Sequence, residues 1–327
     1  VKAISLFSGG LDSQLAAKII KDLEIEIIAI NFKSPFFGAT EETIQAAKDL
    51  GIKLLTPDIS EEYMDVVKKP IYGYGKNFNP CIDCHAFMFK KAGDLMLDLE
   101  ASFLITGEVL GQRPMSQNKS ALQTVEKLSG YKGYILRPLS AKLLPITIPE
   151  ENGWVDREQL LDISGRSRTR QMALAEEYGI VDYPSPAGGC LLTDENFSRR
   201  LKKTLEITPD HGAKGLEILK IGRHFYIGDY NLLVIGRNHS ENESLKNIAF
   251  STDYLLKVAD RPGPLAILRK MNTMTDEDIY YAGQIVARYS DAKNETTANI
   301  RIFNTENAEG NIINVQPLKP EETPALV

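Results

Sequence analysis

Two short stretches carry residue types that do chemistry when they are brought together. The first is Ser8-Gly9-Gly10-Leu11-Asp12-Ser13, between an apolar run at Ala3–Phe7 and a helical pattern at Ser13–Leu23. Glycines let the backbone turn tightly and bring N–H groups against an anion. The helix that follows offers its N-terminal N–H groups and positive dipole end. Ser8 and Ser13 add hydroxyl donors. An ordinary β–α turn with a cap needs one such residue, whereas this cluster suits a polyphosphate. Asp12 fits beside phosphates where it helps to hold Mg²⁺ or orients the loop. No Gly-Lys-Ser/Thr ending follows, so the loop is not of the Walker type.

The second stretch is Asn79-Pro80-Cys81-Ile82-Asp83-Cys84, ahead of a helix expected from about His85. A helix N-terminus lowers a thiol pKa, and thiolate is the form that binds metal or attacks sulfur. The remaining cysteine, Cys190, follows Gly188-Gly189. Three thiols are no disulfide framework, and C-x-x-C suggests a metal or redox site in a reducing compartment. Several readings stay open. A structural zinc site wants four ligands and would need His85. An iron–sulfur cluster on Cys81, Cys84 and Cys190 would leave one iron without a protein ligand. A redox pair could serve a persulfide on Cys190, with Cys81 resolving it. Inert buried thiols are the bland case.

These residues need a scaffold. Apolar runs at Ala3–Phe7, Ile25–Ile30, Ile52–Leu55, Phe103–Thr106 and Tyr134–Leu136 predict strands. Helical patterns at Ser13–Leu23, Thr40–Leu50, Glu61–Lys68 and Ala86–Leu99 alternate with them. That order predicts a doubly wound parallel sheet with helices on both faces. Ligands then sit at the carboxyl ends of strands. The phosphate loop, Asn31-Phe32 and Thr106-Gly107-Glu108 all fall there. Trp154–Leu205 reads mostly helical, with a break at 183–189, and Ser164–Tyr178 is one of its helices. After about Thr208 the pattern becomes α+β. Strands are expected at Leu216–Ile221, Phe225–Ile227, Leu232–Ile235, Tyr254–Val258 and Ile300–Phe303, with helices at Ser240–Asn247 and Asp276–Tyr289. The tail Pro317–Val327 is expected to be loose. The expectation is an α/β domain over 1–207 and a smaller α+β domain over 208–327.

The chain has 327 residues, 43% hydrophobic and 25% charged, with a net charge of −6, which is ordinary globular composition. No apolar run reaches the roughly 18–20 residues of a membrane helix, and the apolar N-terminal stretch is too short for a signal-peptide core. A cytoplasmic protein without a membrane partner is expected. The acidic balance argues mildly against nucleic acid, but a local basic face can still bind phosphate. Arg166, Arg168 and Arg170 cluster, as do Arg199, Arg200, Lys202 and Lys203. A solvated helix face explains them equally well.

The Ser8–Ser13 loop resembles the S-G-G-x-D-S loop of the PP-loop, or adenine nucleotide alpha hydrolase-like, ATP enzymes. Thr106-Gly107-Glu108-Val109-Leu110-Gly111-Gln112 with Ser116-Gln117 is similar to a stretch of the tRNA 4-thiouridine synthetases, with a gap one residue longer. The Asn-Pro-Cys-x-x-Cys piece resembles the 2-thiouridylases and cluster-dependent thiouridine synthases. The resemblance, to the PP-loop tRNA thiolation enzymes, covers residues 1 to about 205. It implies an ATP-dependent tRNA uridine sulfurtransferase that adenylylates a uridine carbonyl and replaces the oxygen with sulfur. It implies that Ser8, Gly9, Gly10, Asp12 and Ser13 bind the pyrophosphate end of ATP, and that Asn31, Phe32, Gly107 and Gln117 lie at the nucleotide. It implies Mg²⁺, a [4Fe-4S] cluster on the three cysteines, tRNA as a partner, and sulfide or a cysteine desulfurase as sulfur donor. Ile221-Gly222-Arg223-His224-Phe225 and Leu233–Asn238 resemble the RNA-associated domain of ribosome quality-control proteins. Such a domain is expected to supply the RNA contact that 4-thiouridine synthetases make through an N-terminal extension. The alternatives are a persulfide thiolase without a cluster, a PP-loop sulfur or amide transferase acting on a small molecule, and a non-catalytic RNA-binding protein.

Overall fold

The structure is a computed structural model that describes residues 1–185, 189–209 and 211–327. Pro186, Ala187 and Gly188, within the break expected at 183–189, lie outside the described residues. The chain divides into two compact units, Val1–Asp194 and Glu195–Val327. The division falls ahead of the boundary expected at 207. The helix Glu195–Ile207 packs against the 3-10 helix Ala213–Lys220 and so belongs with the second unit.

The first unit runs β1 (Lys2–Leu6), α1 (Leu11–Asp22), β2 (Glu26–Ile30), α2 (Glu41–Asp49), β3 (Lys53–Leu55), α3 (Ser60–Lys68), α4 (Cys81–Asp94), β4 (Phe103–Thr106), α5 (Lys119–Ser129), β5 (Ile135–Leu136), α6 (Ile148–Glu151) and α7 (Thr169–Glu177). Its sheet has the order β3-β2-β1-β4-β5, with every pair parallel. Strands buried on both faces read as nearly continuous apolar runs, which is why Ile27–Ile30 and Phe103–Ile105 form central strands. Ala3, Ala29 and Phe103 face a core shared with Leu11, Leu15 and Ile19 of α1. Ile4, Ile28 and Leu104 alternate to the other face and are also buried, and α4 packs on β1 and β4. The fold is therefore the doubly wound α/β sheet. The strand order reverses between β1 and β4, and the crevice beyond their carboxyl ends is where such sheets bind ligands.

Several elements differ from expectation, among them α6, which was not expected. α4 starts at Cys81 rather than near His85, so both cysteines of the pair lie inside its first turn. α7 starts at Thr169 rather than Ser164, because the Ser164 backbone is taken by a bridge to Leu110. α5 was not expected. Its apolar positions are only Ala121, Leu122, Val125 and Leu128, but Asn118 caps its start and Gly130 ends it in the left-handed region.

The second unit runs α8 (Glu195–Ile207), β6 (Arg223–Ile227), β7 (Asn231–Ile235), α9 (His239–Ile248), β8 (Tyr254–Val258), β9 (Ala266–Arg269), α10 (Asp276–Arg288), β10 (Ala298–Phe303) and β11 (Asn311–Val315). They form an antiparallel sheet of order β11-β10-β8-β9-β7-β6, packed on α10 through Ala282, Ile285 and Val286. Ala213–Lys220 is a 3-10 helix, not the expected strand. Leu216 and Leu219, three apart, are both fully buried, which fits the three-residue turn. The tail is not loose: Leu318 joins the core and the Val327 N–H donates to the His224 carbonyl at 3.1 Å.

His224 is buried in this unit. Its Nε2 pairs with the Ile218 carbonyl at 3.1 Å, and its Nδ1 lies 2.9 Å from Arg200. The ring is therefore neutral, with Nε2–H donating and Nδ1 accepting. Burial, followed by the Arg200 charge, lowers its pKa to about 4. An unfolded histidine titrates near 6.5, so between these values the unfolded chain binds the extra proton. Stability should thus be full above pH 6.5 and fall as pH drops towards 4, by roughly 3 kcal/mol for this group. Calorimetric scans of wild type and His224→Gln across that window check it. The wild type should lose stability relative to the variant as the solution becomes acidic.

Candidate active site

The phosphate loop is built by its own side chains. Gly9 has φ +75°, and a Cβ there would lie 2.8 Å from the Thr43 Cα of α2, so position 9 admits only glycine. The Thr43 hydroxyl donates to the Ser8 carbonyl at 3.2 Å, which ties α2 to the loop. The Gly10 N–H donates to Ser8 Oγ at 3.2 Å, Ser13 Oγ donates to the Gly10 carbonyl at 2.8 Å, and the two hydroxyls lie 3.2 Å apart. Gln14 Nε2 donates to the Gly9 carbonyl at 2.7 Å. The helix begins at Leu11, so Asp12 and Ser13 stand in its first turn, where N–H groups lack intrahelical partners.

Asp12 is the charged residue of this turn. Its Oδ2 accepts from Gln112 Nε2 at 2.9 Å, while its Oδ1 is buried with no partner. Gln112 Oε1 and Gln117 Oε1 are likewise buried and unpartnered. Buried polar atoms are normally satisfied, so the orphaned oxygens of Asp12 and of the Gln112 bonded to it mark a place for a ligand. A carboxylate oxygen is a suitable donor for Mg²⁺. Gln112 was not singled out from the sequence. It sits inside the Thr106–Gln117 stretch, but its reach to Asp12 across the fold left no local signal.

The other expected nucleotide residues have more structural roles. The Asn31 side chain donates to the Phe7 carbonyl at 2.8 Å and fixes the ends of β1 and β2 together. Phe32 is buried in the core. Gly107 packs backbone on backbone: a Cβ there would lie 2.4 Å from both Asp12 C and Ser13 N. Gly107→Ala should therefore push the first turn of α1 out of place. We expect a loss of about 1–3 kcal/mol in denaturant unfolding, the usual cost of overpacking.

Glu108 follows Gly107 and is buried. It accepts from Arg137 Nε at 3.0 Å and pairs with His85 Nδ1 at 2.8 Å, and Arg137 also bonds Glu126. Burial alone would raise its pKa, but Arg137 and His85 outweigh burial and hold it below the usual carboxylate range. Glu108 was expected at the site only as part of the Thr106-Gly107-Glu108 segment, Arg137 was not expected there, and His85 entered only as a zinc ligand. Their network clamps the first turn of α4 onto the carboxyl end of β4.

That clamp places Cys81 and Cys84 at the same edge of the sheet as the phosphate loop. Cys190 reaches this edge through the chain beyond α7: the Leu191 N–H donates to the Phe36 carbonyl at 3.0 Å, just past β2. All three thiols are free of disulfides. Burial, opposed by Tyr63, pushes the Cys84 thiol well above its usual range, and the nearby Cys190 and Cys81 add to the push. Burial likewise pushes Cys190 up to about 11, with Cys81 adding to it. Desolvation thus overrides the lowering expected from a helix N-terminus. The buried Tyr63 hydroxyl faces Cys84, close enough to favour its thiolate but short of full hydrogen-bond geometry. Asn79 Nδ2 donates to Cys81 Sγ at 3.1 Å.

Among the described residues no three His, Cys, Asp or Glu side chains converge on a point that would hold a single metal ion. The Nδ1 of His85 is engaged with Glu108. A cluster makes a different demand, since each thiolate binds its own iron and the sulfurs stand apart. Three thiols within electrostatic reach of one another fit that donor set. Of the basic clusters, Arg170 pairs with Asp162, Lys203 lies over the Tyr230 ring and Arg200 bonds His224, so part of each is spent within the fold. No helix among the described residues is long and apolar enough to cross a membrane.

Both units match known proteins in sequence. Residues 1–142 match the family model of the thiamine biosynthesis protein ThiI, and residues 222–326 match the NFACT protein RNA binding domain. The tRNA-specific 2-thiouridylase MnmA of Marinobacter nauticus is 27% identical over 220 residues, covering 62% of this chain and 53% of the relative. The probable tRNA sulfurtransferase of Ureaplasma parvum is 26% identical over 178 residues, covering 53% of this chain and 42% of the relative. The chain thus spans about half the length of these curated relatives. A solved complex of a 4-thiouridine synthetase with RNA and bound ATP aligns with a TM-score of 0.41 and 21% identity, covering 67% of this chain and 52% of that one. The chain is accordingly similar to the PP-loop tRNA thiolation enzymes in its first unit and to the NFACT RNA binding domain in its second.

Proposed function

We propose that the chain is an ATP-dependent tRNA uridine sulfurtransferase. The observation that carries this reading is that the phosphate loop and three thiols open onto the carboxyl edge of one parallel sheet. A phosphate loop alone would suit any PP-loop enzyme, and thiols gathered beside it suit the transfer of sulfur. The relatives named as 2-thiouridylase and tRNA sulfurtransferase support uridine in tRNA as the acceptor.

In this reading the loop N–H groups and the Ser8 and Ser13 hydroxyls hold the β- and γ-phosphates of ATP. Asp12 would hold Mg²⁺ through its unpartnered oxygen, and Gln112 keeps the carboxylate aimed. Gln117 offers its unpartnered oxygen to the nucleotide, while Gly107, Asn31 and Phe32 shape the pocket. The uridine carbonyl oxygen attacks the α-phosphorus and pyrophosphate leaves. Hydrosulfide then forms the C–S bond, the C–O bond breaks, AMP departs with the oxygen, and a proton goes to solvent. Stabilising charge on the departing pyrophosphate is the main task of the loop. Cys81, Cys84 and Cys190 would hold a [4Fe-4S] cluster. When bound, the cluster supplies an iron without a protein ligand, a Lewis-acidic place for sulfide at neutral pH. The second unit would bind the tRNA body. The sulfur comes from sulfide or a cysteine desulfurase, and the setting is the cytoplasm.

The test is anaerobic incubation with ATP, Mg²⁺, sulfide and unmodified tRNA. Mass spectrometry of the digested tRNA should find one uridine oxygen replaced by sulfur, with pyrophosphate release dependent on tRNA. Pyrophosphate release that ignores tRNA would point to a small-molecule acceptor instead. Binding of RNA without pyrophosphate release would leave only an RNA-binding role.

A further inference from the structure

The segment between α3 and α4, Lys69–Asn79, is pinned at several points yet turns side chains outward. The buried Asp83 carboxylate accepts from the backbone N–H groups of Ile71 at 2.8 Å and Tyr72 at 3.0 Å. The Tyr74 ring stacks on Phe78 with centroids 4.3 Å apart, and its hydroxyl donates to the Val67 carbonyl at 2.7 Å. Asn77 Nδ2 donates to the Thr193 carbonyl at 2.6 Å, close to Cys190, and Asn79 reaches Cys81 Sγ. The loop is therefore fixed to both cysteine-bearing segments. On this fixed base Tyr72 is 51% exposed and Ile71 77% exposed. Lys69 and Lys76 flank them, both exposed, and among the described residues neither side chain is held in an ion pair.

An exposed aromatic on a pinned backbone, with an apolar neighbour and lysines outside any ion pair, suits sequence-tolerant binding of single-stranded nucleic acid. The ring stacks on a base and the lysines meet phosphates. Chemistry on a uridine carbonyl also needs the base out of its stack, which leaves neighbouring base faces uncovered. We propose that the Lys69–Asn79 loop is a stacking platform: Tyr72 covers an unpaired base of the RNA, and Lys69 and Lys76 hold its backbone beside the thiols. The identity of that RNA as substrate rests on the sulfurtransferase reading, whereas the stacking contact can be measured without turnover. The occupant is an RNA strand rather than a protein, because the exposed charges of the loop are cationic and the aromatic stands between them.

The test uses the full chain and a labelled single-stranded oligouridine carrying 5-iodouridine. Light-induced crosslinking, mapped by mass spectrometry, isolates this loop from any RNA contact made by the second unit. The crosslink should fall on Tyr72 and vanish in Tyr72→Ala. Tyr72→Ala should bind the oligonucleotide about tenfold more weakly, Tyr72→Phe should bind like wild type, and a paired duplex of equal length should not distinguish them. The exposed position lets Tyr72→Ala fold, which an unchanged melting temperature verifies. Oligouridine crosslinked elsewhere, with equal affinity for wild type and Tyr72→Ala, overturns the platform. Thiolation assays on the same variants separate the two readings. A Tyr72 crosslink in a chain that thiolates no tRNA defeats the sulfurtransferase reading alone. Thiolation with an unchanged KM in Tyr72→Ala, and no crosslink, defeats the platform alone.

Discussion

Asp12→Ala should lower pyrophosphate release by at least about a hundredfold while leaving the fold intact. The expectation rests on where the two carboxylate oxygens go. Oδ2 is held by Gln112, and Oδ1 is buried without a partner at the start of α1. Oδ1 has no partner to lose and only the Gln112 bond goes with the carboxylate, so truncation should cost the fold about 1 kcal/mol. It should cost the reaction much, because preorganised charge at a developing leaving group is typically worth about 10²–10³ in rate. Asp12→Asn refines the test. It retains a partner for Gln112 but loses the charge that would hold Mg²⁺, so its defect should shrink as Mg²⁺ is raised if affinity for the ion is what was lost. Ser13→Ala removes the bond to the Gly10 carbonyl and should also abolish release. The measurement is coupled pyrophosphate detection beside thermal unfolding. Wild-type turnover in Asp12→Ala would remove adenylylation from the reading.

The phosphate loop was legible in the sequence because most of its bonds are local. Ser8, Gly10 and Ser13 bond one another within a few positions, and the flanking strand and helix are strongly patterned, whereas the approach of Thr43 to Gly9 left no local signal. The parallel sheet was legible for a related reason, since strands such as Ile27–Ile30 are buried on both faces and read as apolar throughout. What could not be read were contacts made across the fold. Gln112 meets Asp12 over a hundred positions, and Glu108 meets His85 and Arg137 from three separate elements. Gly107 is informative in the same way. Its position in a motif suggested nucleotide contact, but the close approach to Asp12 and Ser13 gives its lack of a side chain a packing reason. In the second unit, β9 and β11 escaped notice because Ala266–Arg269 is short and Asn311–Val315 lies at a sheet edge with little burial. The thiol pKa was misjudged because a helix end acts locally, while the burial that outweighs it comes from distant residues.

Replacing any one of Cys81, Cys84 and Cys190 by alanine should abolish sulfur transfer while sparing ATP binding. The three arrive from two segments about a hundred positions apart, yet each of Cys84 and Cys190 lies within reach of the Cys81 charge. Inert core thiols have no reason to meet, whereas a cluster and a persulfide pair both require it. Removing one thiol then leaves a cluster short of a ligand, so iron and sulfide content should fall together with activity. Protein isolated without oxygen should be brown, lose its colour in air, and lose thiolation in step with its iron. The persulfide alternative makes a different set of outcomes. The protein would be colourless, a reducible sulfane sulfur would be found on Cys190, and iron chelation would leave turnover unchanged. The environment of Cys190 favours the first set. Burial holds its pKa near 11, and a thiol seldom ionised at neutral pH is a poor nucleophile. A cluster would remove that obstacle, because Cys190 would then serve as an iron-bound thiolate rather than as a free nucleophile. Tyr63→Phe supplies the internal check. It deletes the hydroxyl that faces Cys84 without opening a cavity, so it should weaken retention of iron under chelator while ATP-dependent pyrophosphate release stays at the wild-type rate. Iron retained in Tyr63→Phe as in wild type would show that the hydroxyl has no part in holding the site.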